Sequence, residues 1–167
     1  KDYFKPLDFV SKYYFERQMQ FDLVEQDEIH HQLRSFGVDP LSIDKIILTH
    51  LHIDHVGGLQ HFPNTPVLVN QREWDTQDGA FVQLFPSNLQ LQTLQLDQSF
   101  QHFKHCTYLT QDLLLLETPG HTRGHCSLLL KLPNAPSILL GGDVAYTQER
   151  LIQKVFSATI KNHRQNI

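Results

Sequence analysis

The chain lacks the features that mark membrane and exported proteins. Among its 167 residues the longest unbroken apolar runs, such as residues 113–116, fall far short of the roughly 20 residues needed to cross a bilayer. No basic stretch followed by an apolar core and a small-residue cleavage site is visible near Lys1. We therefore expect no transmembrane span, no membrane partner and a cytoplasmic location.

The chain is also poor in cysteine and has no cationic excess. Two cysteines and no C-x-x-C pair exclude a multi-bridge disulfide scaffold and a zinc knuckle, so we expect two free thiols. A net charge of −4 gives little electrostatic support for binding nucleic acid. A hydrophobic fraction of 40% is ample for a packed core, and the length fits a single domain over residues 1–167.

Hydrophobic periodicity predicts a mixture of helices and strands. Ile29, Leu33 and Phe36 predict a helix over residues 27–36 with one buried face, with Asp27 as N-cap and Gly37 just past the end. Short apolar runs predict strands over residues 43–49, 66–70, 113–117, 126–132 and 137–142. We expect a short helix or turn over residues 71–78 and a helix from about residue 147, where Ile152, Phe156 and Ile160 are spaced by four. Residues 81–103 stay unassigned, because their alternation changes phase at Thr93.

The strongest chemical signal is a group of four metal-binding side chains in six positions. His50, His52, Asp54 and His55 follow directly after the predicted strand of residues 43–49. Imidazole and carboxylate are good ligands for zinc, iron or manganese, and such a cluster would be costly to bury without a partner. The H-x-H-x-D-H spacing therefore predicts a metal site, with two metals within reach.

Two further segments carry polar residues after predicted strands. His121 lies in the turn-forming sequence TPGHTRGH of residues 118–125, and Asp143 follows Gly141 and Gly142. Ligands collect outside the carboxyl ends of strands in open α/β folds, and all three segments fall there. The common position of the three segments after predicted strands is stronger evidence for one site than any single motif.

Together these motifs resemble the metallo-β-lactamase superfamily over about residues 24–160. Within this superfamily, the chain is most similar to the N-acyl-homoserine lactone lactonase (quorum-quenching) group. The segments that carry this resemblance are THLHIDHVGG, TPGHTRGHCSL and GDVAYT. The resemblance implies an α/β fold of the αββα sandwich type. It also implies two divalent metal ions, with zinc as the expected element. His50, His52 and His121 would hold the first metal, Asp54 and His55 the second, and Asp143 would bridge them.

The sequence departs from the family pattern in one ligand. A last histidine after a further strand is expected, and within the chain only His163 follows Asp143, inside a predicted helical face. We expect that ligand beyond Ile167. The opening strands of the family are also not visible, so we expect a fragment incomplete at both ends.

The resemblance implies a hydrolase that opens a lactone ring, an N-acyl-homoserine lactone in first place, by a hydroxide that bridges the metals. Asp54 would orient the hydroxide and pass a proton to the leaving alkoxide, and Tyr146 would stabilise the oxyanion as the second catalytic residue. The alternatives left open are another hydrolase of this fold, acting on a thioester, β-lactam or phosphodiester, and a noncatalytic metal-binding remnant. The expected partner is a small-molecule ester or lactone, and a homodimer is left open.

The remaining candidate groups receive ordinary structural interpretations. His125 is expected to support the turn and not to bind metal. Cys126 is interpreted as a buried strand residue because no base accompanies it as a nucleophile. The other histidines of the region are interpreted as surface or core residues: His30, His31, His61, His102 and His105.

Overall fold

The structure is a computed structural model that describes residues 4–17 and 24–152. Contacts within the chain divide it into two compact units. Of the described residues, the first unit comprises 4–17, 24–46, 52–67 and 80–91, and the second comprises 47–51, 68–79 and 92–152. Among the described residues, no helix has the length and apolar character that a membrane crossing requires. The expectation of one domain over the whole chain stays a prediction.

Three short helices belong to the first unit. They are α1 (Phe9–Arg17), α2 (Ile29–Ser35) and α3 (Ile53–Val56). The predicted helix over residues 27–36 is therefore present but shorter. Asp27 does not cap it: Asp27 lies in a separate 3-10 turn, Glu25–Asp27, and Glu28 is the N-cap residue of α2. Gly37 follows the end of α2 in the left-handed conformation, as expected.

The predicted buried face of α2 is wrong. Ile29 is 45% exposed and Phe36 is 80% exposed, while Leu33 is half-buried. α2 has only seven residues. Ile29 therefore lies at its first position and Phe36 beyond its last, and only Leu33 of the three lies in the helix interior.

A three-stranded sheet leads to the metal-binding motif. Its strands are β1 (Ile46–Ile47), β2 (Val67–Asn70) and β3 (Leu91–Leu94), in the order β1-β2-β3. The strand predicted over residues 43–49 is thus present, but its regular hydrogen-bonded pairing covers only two residues. Beyond it, the amide of Leu48 still donates to the carbonyl of Leu68 at 2.9 Å. β2 is buried throughout, and α4 (Gln71–Thr76) follows it directly, as predicted.

A five-stranded antiparallel sheet forms much of the second unit. Its strands are β4 (Gln98–Phe100), β5 (Phe103–Tyr108), β6 (Leu113–Glu117), β7 (Cys126–Leu130) and β8 (Ile138–Leu140), in chain order. The strands predicted over residues 113–117, 126–132 and 137–142 correspond to β6, β7 and β8. The unassigned stretch of residues 81–103 contains a 3-10 turn, Val82–Leu84, then β3, β4 and the first residue of β5.

Strand β6 is buried on both faces. Leu115 packs with Leu96, Cys126 and Leu128 on one side, whereas Leu114 and Leu116 pack on the other side with Cys106. This two-sided burial is why the segment is a continuous run of leucine and does not alternate with polar residues.

The predicted C-terminal helix begins with α5 (Gln148–Ile152). Phe156, Ile160 and His163 lie outside the described residues, so the predictions made for them stay predictions.

Candidate metal centre

His50 lies at the end of the chain segment that continues β1, and it is fully buried. The carbonyl of the preceding Thr49 accepts the amide of Cys126 at 2.8 Å, which ties this segment to β7. The Thr49 hydroxyl lies 3.1 Å from Nδ1 of His50. The His50 ring is therefore held by its neighbours on a rigid strand end.

His121 and Asp143 meet His50 in the second unit. The rings of His50 and His121 are edge to face, with centroids 4.7 Å apart and planes at 86°. Nε2 of His121 lies 3.3 Å from Oδ2 of Asp143, and the His121 side chain is only 4% exposed. Three side chains separated by up to 93 positions in the sequence thus converge, as the three strand-end motifs predicted.

The other three predicted ligands lie in the first unit on the segment that follows His50 in the chain. His52 is the N-cap residue of α3, and Asp54 and His55 lie within that helix. Nε2 of His55 is 3.7 Å from Oδ2 of Asp54. The Asp54 side chain is 67% exposed, so it is accessible to a small molecule. Their roles as ligands stay predictions.

His125 has a structural role that the geometry makes specific. Its Nε2 accepts the amide of Asp143 at 3.1 Å, so Nδ1 carries the proton and donates to the carbonyl of Thr118 at 3.0 Å. The ring is fully buried. His125 therefore connects the start of the His121 turn to the backbone of Asp143, which agrees with the expectation that it supports the turn.

Glu73 is a buried acid that the sequence analysis missed. It is fully buried in α4, where Oε1 accepts the amide of Leu51 at 3.0 Å. Its Oε2 accepts the Thr122 hydroxyl at 2.6 Å and the amide of Gly124 at 3.1 Å. One carboxylate thereby holds both the backbone after His50 and the turn that contains His121. A lone glutamate in a short polar helix gives no spacing signal, because its partners are 22 to 51 residues away.

Burial and hydrogen bonding change the pKa of Glu73 in opposite directions. Desolvation raises the pKa of Glu73 above its ordinary value of 4.5, and this effect exceeds the lowering by the hydrogen bonds from Thr122, Leu51 and Gly124. The carboxyl thus retains a proton to higher pH than an exposed glutamate does.

The His121 turn packs against α4 at Gly124. A Cβ at Gly124 would overlap the backbone nitrogen and Cα of Glu73 and would lie 2.6 Å from its Cβ. The carbonyl of Gly124 accepts the side-chain amide of Asn70 at 2.9 Å, and the amide of Arg123 donates to Asp78 at 3.0 Å. Glycine is required here by close approach of two backbones.

Tyr146 lies beside His121, one of the predicted metal ligands. Its ring is edge to face with His121, with centroids 6.1 Å apart, and the residue is 61% exposed. It also lines an open cleft of about 780 Å³ whose walls include Thr118, Ser127 and Gly142. A tyrosine in this position can present its hydroxyl to a molecule bound near His121.

The cysteines have no part in this chemistry. Both Cys106 and Cys126 are free and buried. Burial raises the pKa of the Cys126 thiol above its ordinary value, so the reactive thiolate does not form near neutral pH. The interpretation of Cys126 as a strand residue agrees with its position in β7.

The donor set fits a divalent metal ion. His50 and His121 supply imidazole nitrogens and Asp143 supplies a half-buried carboxylate oxygen, the combination that zinc and related ions prefer. Neighbouring hydrogen bonds orient these groups, as is usual around metal-binding histidines.

Comparison with known proteins finds a family and several relatives that resemble this chain. Residues 14–85 match the family model described as the metallo-beta-lactamase superfamily. The chain is 31% identical over 145 residues to an N-acyl homoserine lactonase from a Bacillus species, a match that covers 85% of this chain and 54% of the relative. The chain is thus similar to the metallo-β-lactamase superfamily. A further relative, the N-acyl homoserine lactonase AttM of Rhizobium radiobacter, is 33% identical over 132 residues, covering 74% of this chain and 49% of AttM.

Solved structures of this superfamily share the fold. An N-acyl homoserine lactone hydrolase with N-hexanoyl-L-homoserine bound at its catalytic metal center superposes with a TM-score of 0.68 at 29% identity, covering 82% of this chain and 53% of that one. A B. thuringiensis AiiA variant with N-decanoyl-L-homoserine at its active site gives a TM-score of 0.69 at 28% identity, covering 84% of this chain and 54% of that one. The predicted α/β metallo-β-lactamase fold is confirmed. The chain spans about half the length of the relatives that it matches.

Proposed function

We propose that this chain contributes the metal centre of a hydrolase that opens a lactone ring, with an N-acyl-homoserine lactone as substrate. The observation that carries the proposal is the convergence of His50, His121 and Asp143 in the second unit. The chain's similarity to two N-acyl homoserine lactonases supports this substrate class.

Six residues would hold two divalent ions, in the assignment that the family motif suggests. His50, His52 and His121 would bind one ion, Asp54 and His55 the other, and Asp143 both. The ions, when bound, would lower the pKa of water and polarise the ester carbonyl. The hydrogen bonds of His125 and Glu73 restrict movement of the segments that carry His50, His121 and Asp143.

Asp54 would move the proton in the reaction. Its exposed carboxylate accepts a proton from the attacking water as the water oxygen bonds to the carbonyl carbon. The ring bond from that carbon to oxygen then breaks, and Asp54 returns the proton to the oxygen that leaves. The product is the ring-opened hydroxy acid, with one water consumed and no other reactant needed.

Tyr146 would stabilise the negative charge that develops on the carbonyl oxygen. Its phenol can donate a hydrogen bond to that oxygen, and it adjoins the His121 ring. Loss of one such donor costs about 10²- to 10³-fold in kcat. We expect Tyr146→Phe to reduce kcat by about this factor, with a smaller effect on KM.

The test is ring opening of N-hexanoyl-homoserine lactone by the zinc-loaded chain, followed by mass spectrometry in ¹⁸O-labelled water. We expect one labelled oxygen in the new carboxylate. We expect His121→Ala to abolish turnover and Asp54→Ala to lower it about 10²- to 10⁴-fold. Asp75→Asn is the matched control for Asp54, since Asp75 is an exposed acid that bonds to Gln71 within α4. Wild-type turnover by either active-site variant would contradict the assigned roles.

The same preparation separates the alternatives. Zinc bound by the chain with hydrolysis of a thioester, β-lactam or phosphodiester, and none of the lactone, would exclude the lactone as substrate. Zinc bound with no turnover on any of these substrates would support a noncatalytic metal-binding chain.

A further inference from the structure

A second cluster of metal-ligand side chains lies in the first unit, on residues that the sequence analysis interpreted as ordinary. Glu28, His30 and His61 each offer one ligand atom, and these atoms lie within 4.8 Å of one another. None of the three belongs to the H-x-H-x-D-H, His121 or Asp143 segments. We propose that Glu28, His30 and His61 form an additional binding site for a divalent transition-metal ion of the zinc type.

Packing of two short elements brings these residues together. Glu28 is the N-cap residue of α2 and His30 lies in its first turn, while His61 ends the 3-10 turn Leu59–His61. A Cβ at Gly58 would lie 2.7 Å from Cγ2 of Ile29, so the absence of a side chain at Gly58 allows the approach. The rings of His30 and His61 are stacked, with centroids 3.8 Å apart and planes at 24°.

The carboxylate of Glu28 faces both imidazoles. Its Oε2 contacts Nε2 of His61 directly and lies 3.5 Å from Nδ1 of His30. Ligand atoms bonded to zinc at about 2.0–2.2 Å in tetrahedral geometry are about 3.4 Å apart. The exposed Glu28 side chain and a small rotation of either ring can therefore bring the three atoms onto one ion.

His30 gives a further reason to expect a ligand. Its Nδ1 is buried and makes no hydrogen bond to the described residues, because its 3.5 Å contact with Oε2 of Glu28 does not have hydrogen-bond geometry. Buried nitrogen atoms normally have a partner, and a bound ion is one of the few that would serve.

The chemistry of the three groups selects the type of ion. Two imidazoles and one carboxylate match zinc, iron, cobalt, nickel or copper, whereas calcium and magnesium prefer oxygen ligands alone. Three protein ligands leave further coordination positions for water. His31 is excluded from the set because its Nε2 bonds to Glu25 at 3.2 Å, although its ring packs against His30.

The experiment counts bound zinc in the full chain after removal of metal and equilibrium dialysis against Zn²⁺. We expect the double variant His30→Ala/His61→Ala to bind one equivalent less than the wild type. We expect Glu28→Gln to weaken the same site at least tenfold. His105→Ala, which removes an exposed histidine of the second unit, is the matched control and should bind as the wild type does. Equal zinc content in the wild type and the double variant would overturn the proposal.

Two further measurements make the result independent of folding and of the proposed enzyme activity. In the unchanged chain, Zn²⁺ should slow the modification of His30 and His61 by diethylpyrocarbonate while His105 reacts at its original rate; no slowing would overturn the site. The loss of one equivalent in the double variant should persist in a chain that also carries His121→Ala. Failure of the lactonase proposal would leave this loss unchanged.

Discussion

At the scale of single residues, the candidate metal centre depends on buried side chains that are not themselves predicted ligands. Glu73 accepts three hydrogen bonds from two separate segments, and His125 holds the backbone of Asp143. The hydrogen-bond partners of Glu73 and of His125 are all distant in the sequence, so both roles follow from the tertiary structure. Each residue is a positioning group whose loss should alter stability and metal binding before it alters chemistry.

Glu73→Gln provides a test with a defined pH dependence. A glutamine would place its NH₂ group against at least one of the groups that donate to Glu73 in the wild type. A buried donor left without an acceptor costs about 1–3 kcal/mol. We expect the variant to unfold more easily than the wild type, with the largest difference at low pH, where the raised pKa of Glu73 stabilises the native state most. Denaturant unfolding of metal-free protein measures the difference.

The raised pKa of Glu73 determines whether the stability difference between the wild type and Glu73→Gln grows or shrinks with pH. The native state binds the proton more tightly than the unfolded chain, so the stabilisation is fully present below pH 4.5. It is lost as the pH rises through the raised pKa. The advantage of the wild type over Glu73→Gln should therefore shrink as the pH rises from 4.5 towards neutrality, and an advantage that grows with pH would contradict the assignment.

Gly124→Ala tests the close approach of the His121 turn to α4. The new methyl group would overlap the backbone of Glu73, which cannot move without breaking the bonds to Leu51 and Thr122. We expect a loss of about 1–3 kcal/mol in the free energy of unfolding, the usual cost of overpacking, and weaker zinc binding. Gly141→Ala is the control, since a Cβ there meets nothing within 4 Å, and it should change stability little.

At the scale of elements, burial on both faces explains the continuous leucine run of β6. Periodicity alone could not separate such a run from a buried helix, but its five-residue length and the flanking turn residues favoured a strand. The same reasoning succeeded for β7 and β8. The spacing of Ile29, Leu33 and Phe36 was a poor guide to the buried face of α2, because Ile29 is its first residue and the helix ends before Phe36.

A pair of leucine truncations tests which strand carries the core of the sheet. Leu115 is fully buried, so Leu115→Ala should lower the free energy of unfolding by about 2–5 kcal/mol. Leu140 on β8 is 58% exposed, so Leu140→Ala should change it by no more than about 0.5 kcal/mol. Thermal or urea unfolding of both variants gives the comparison, and equal losses would mean that β6 is not the central strand of the core.

At the scale of the whole molecule, metal binding and folding should be coupled. An ion that binds only the native chain adds RT ln(1 + [L]/Kd) to stability, about 2.7 kcal/mol when its concentration is 100 times Kd. We expect a chelator to lower the Tm of the wild type and added Zn²⁺ to restore it. The His50→Ala/His121→Ala and His30→Ala/His61→Ala variants should each lose part of that recovery, and a full recovery in both would exclude binding at either cluster.

The sequence by itself determined the metal-ligand motifs and five of the eight described strands, namely β1, β2, β6, β7 and β8. Apolar runs and the H-x-H-x-D-H spacing are local properties, and strand ends bring such motifs to one place whatever the details of packing. Only the tertiary structure decided which distant residues support them. The contacts of Glu73 with Gly124, of His125 with Asp143 and of Glu28 with His61 join residues 18 to 51 positions apart, and such contacts depend on how buried elements pack. A contact between residues far apart in the sequence leaves no local pattern there, which is why those three contacts could not be predicted.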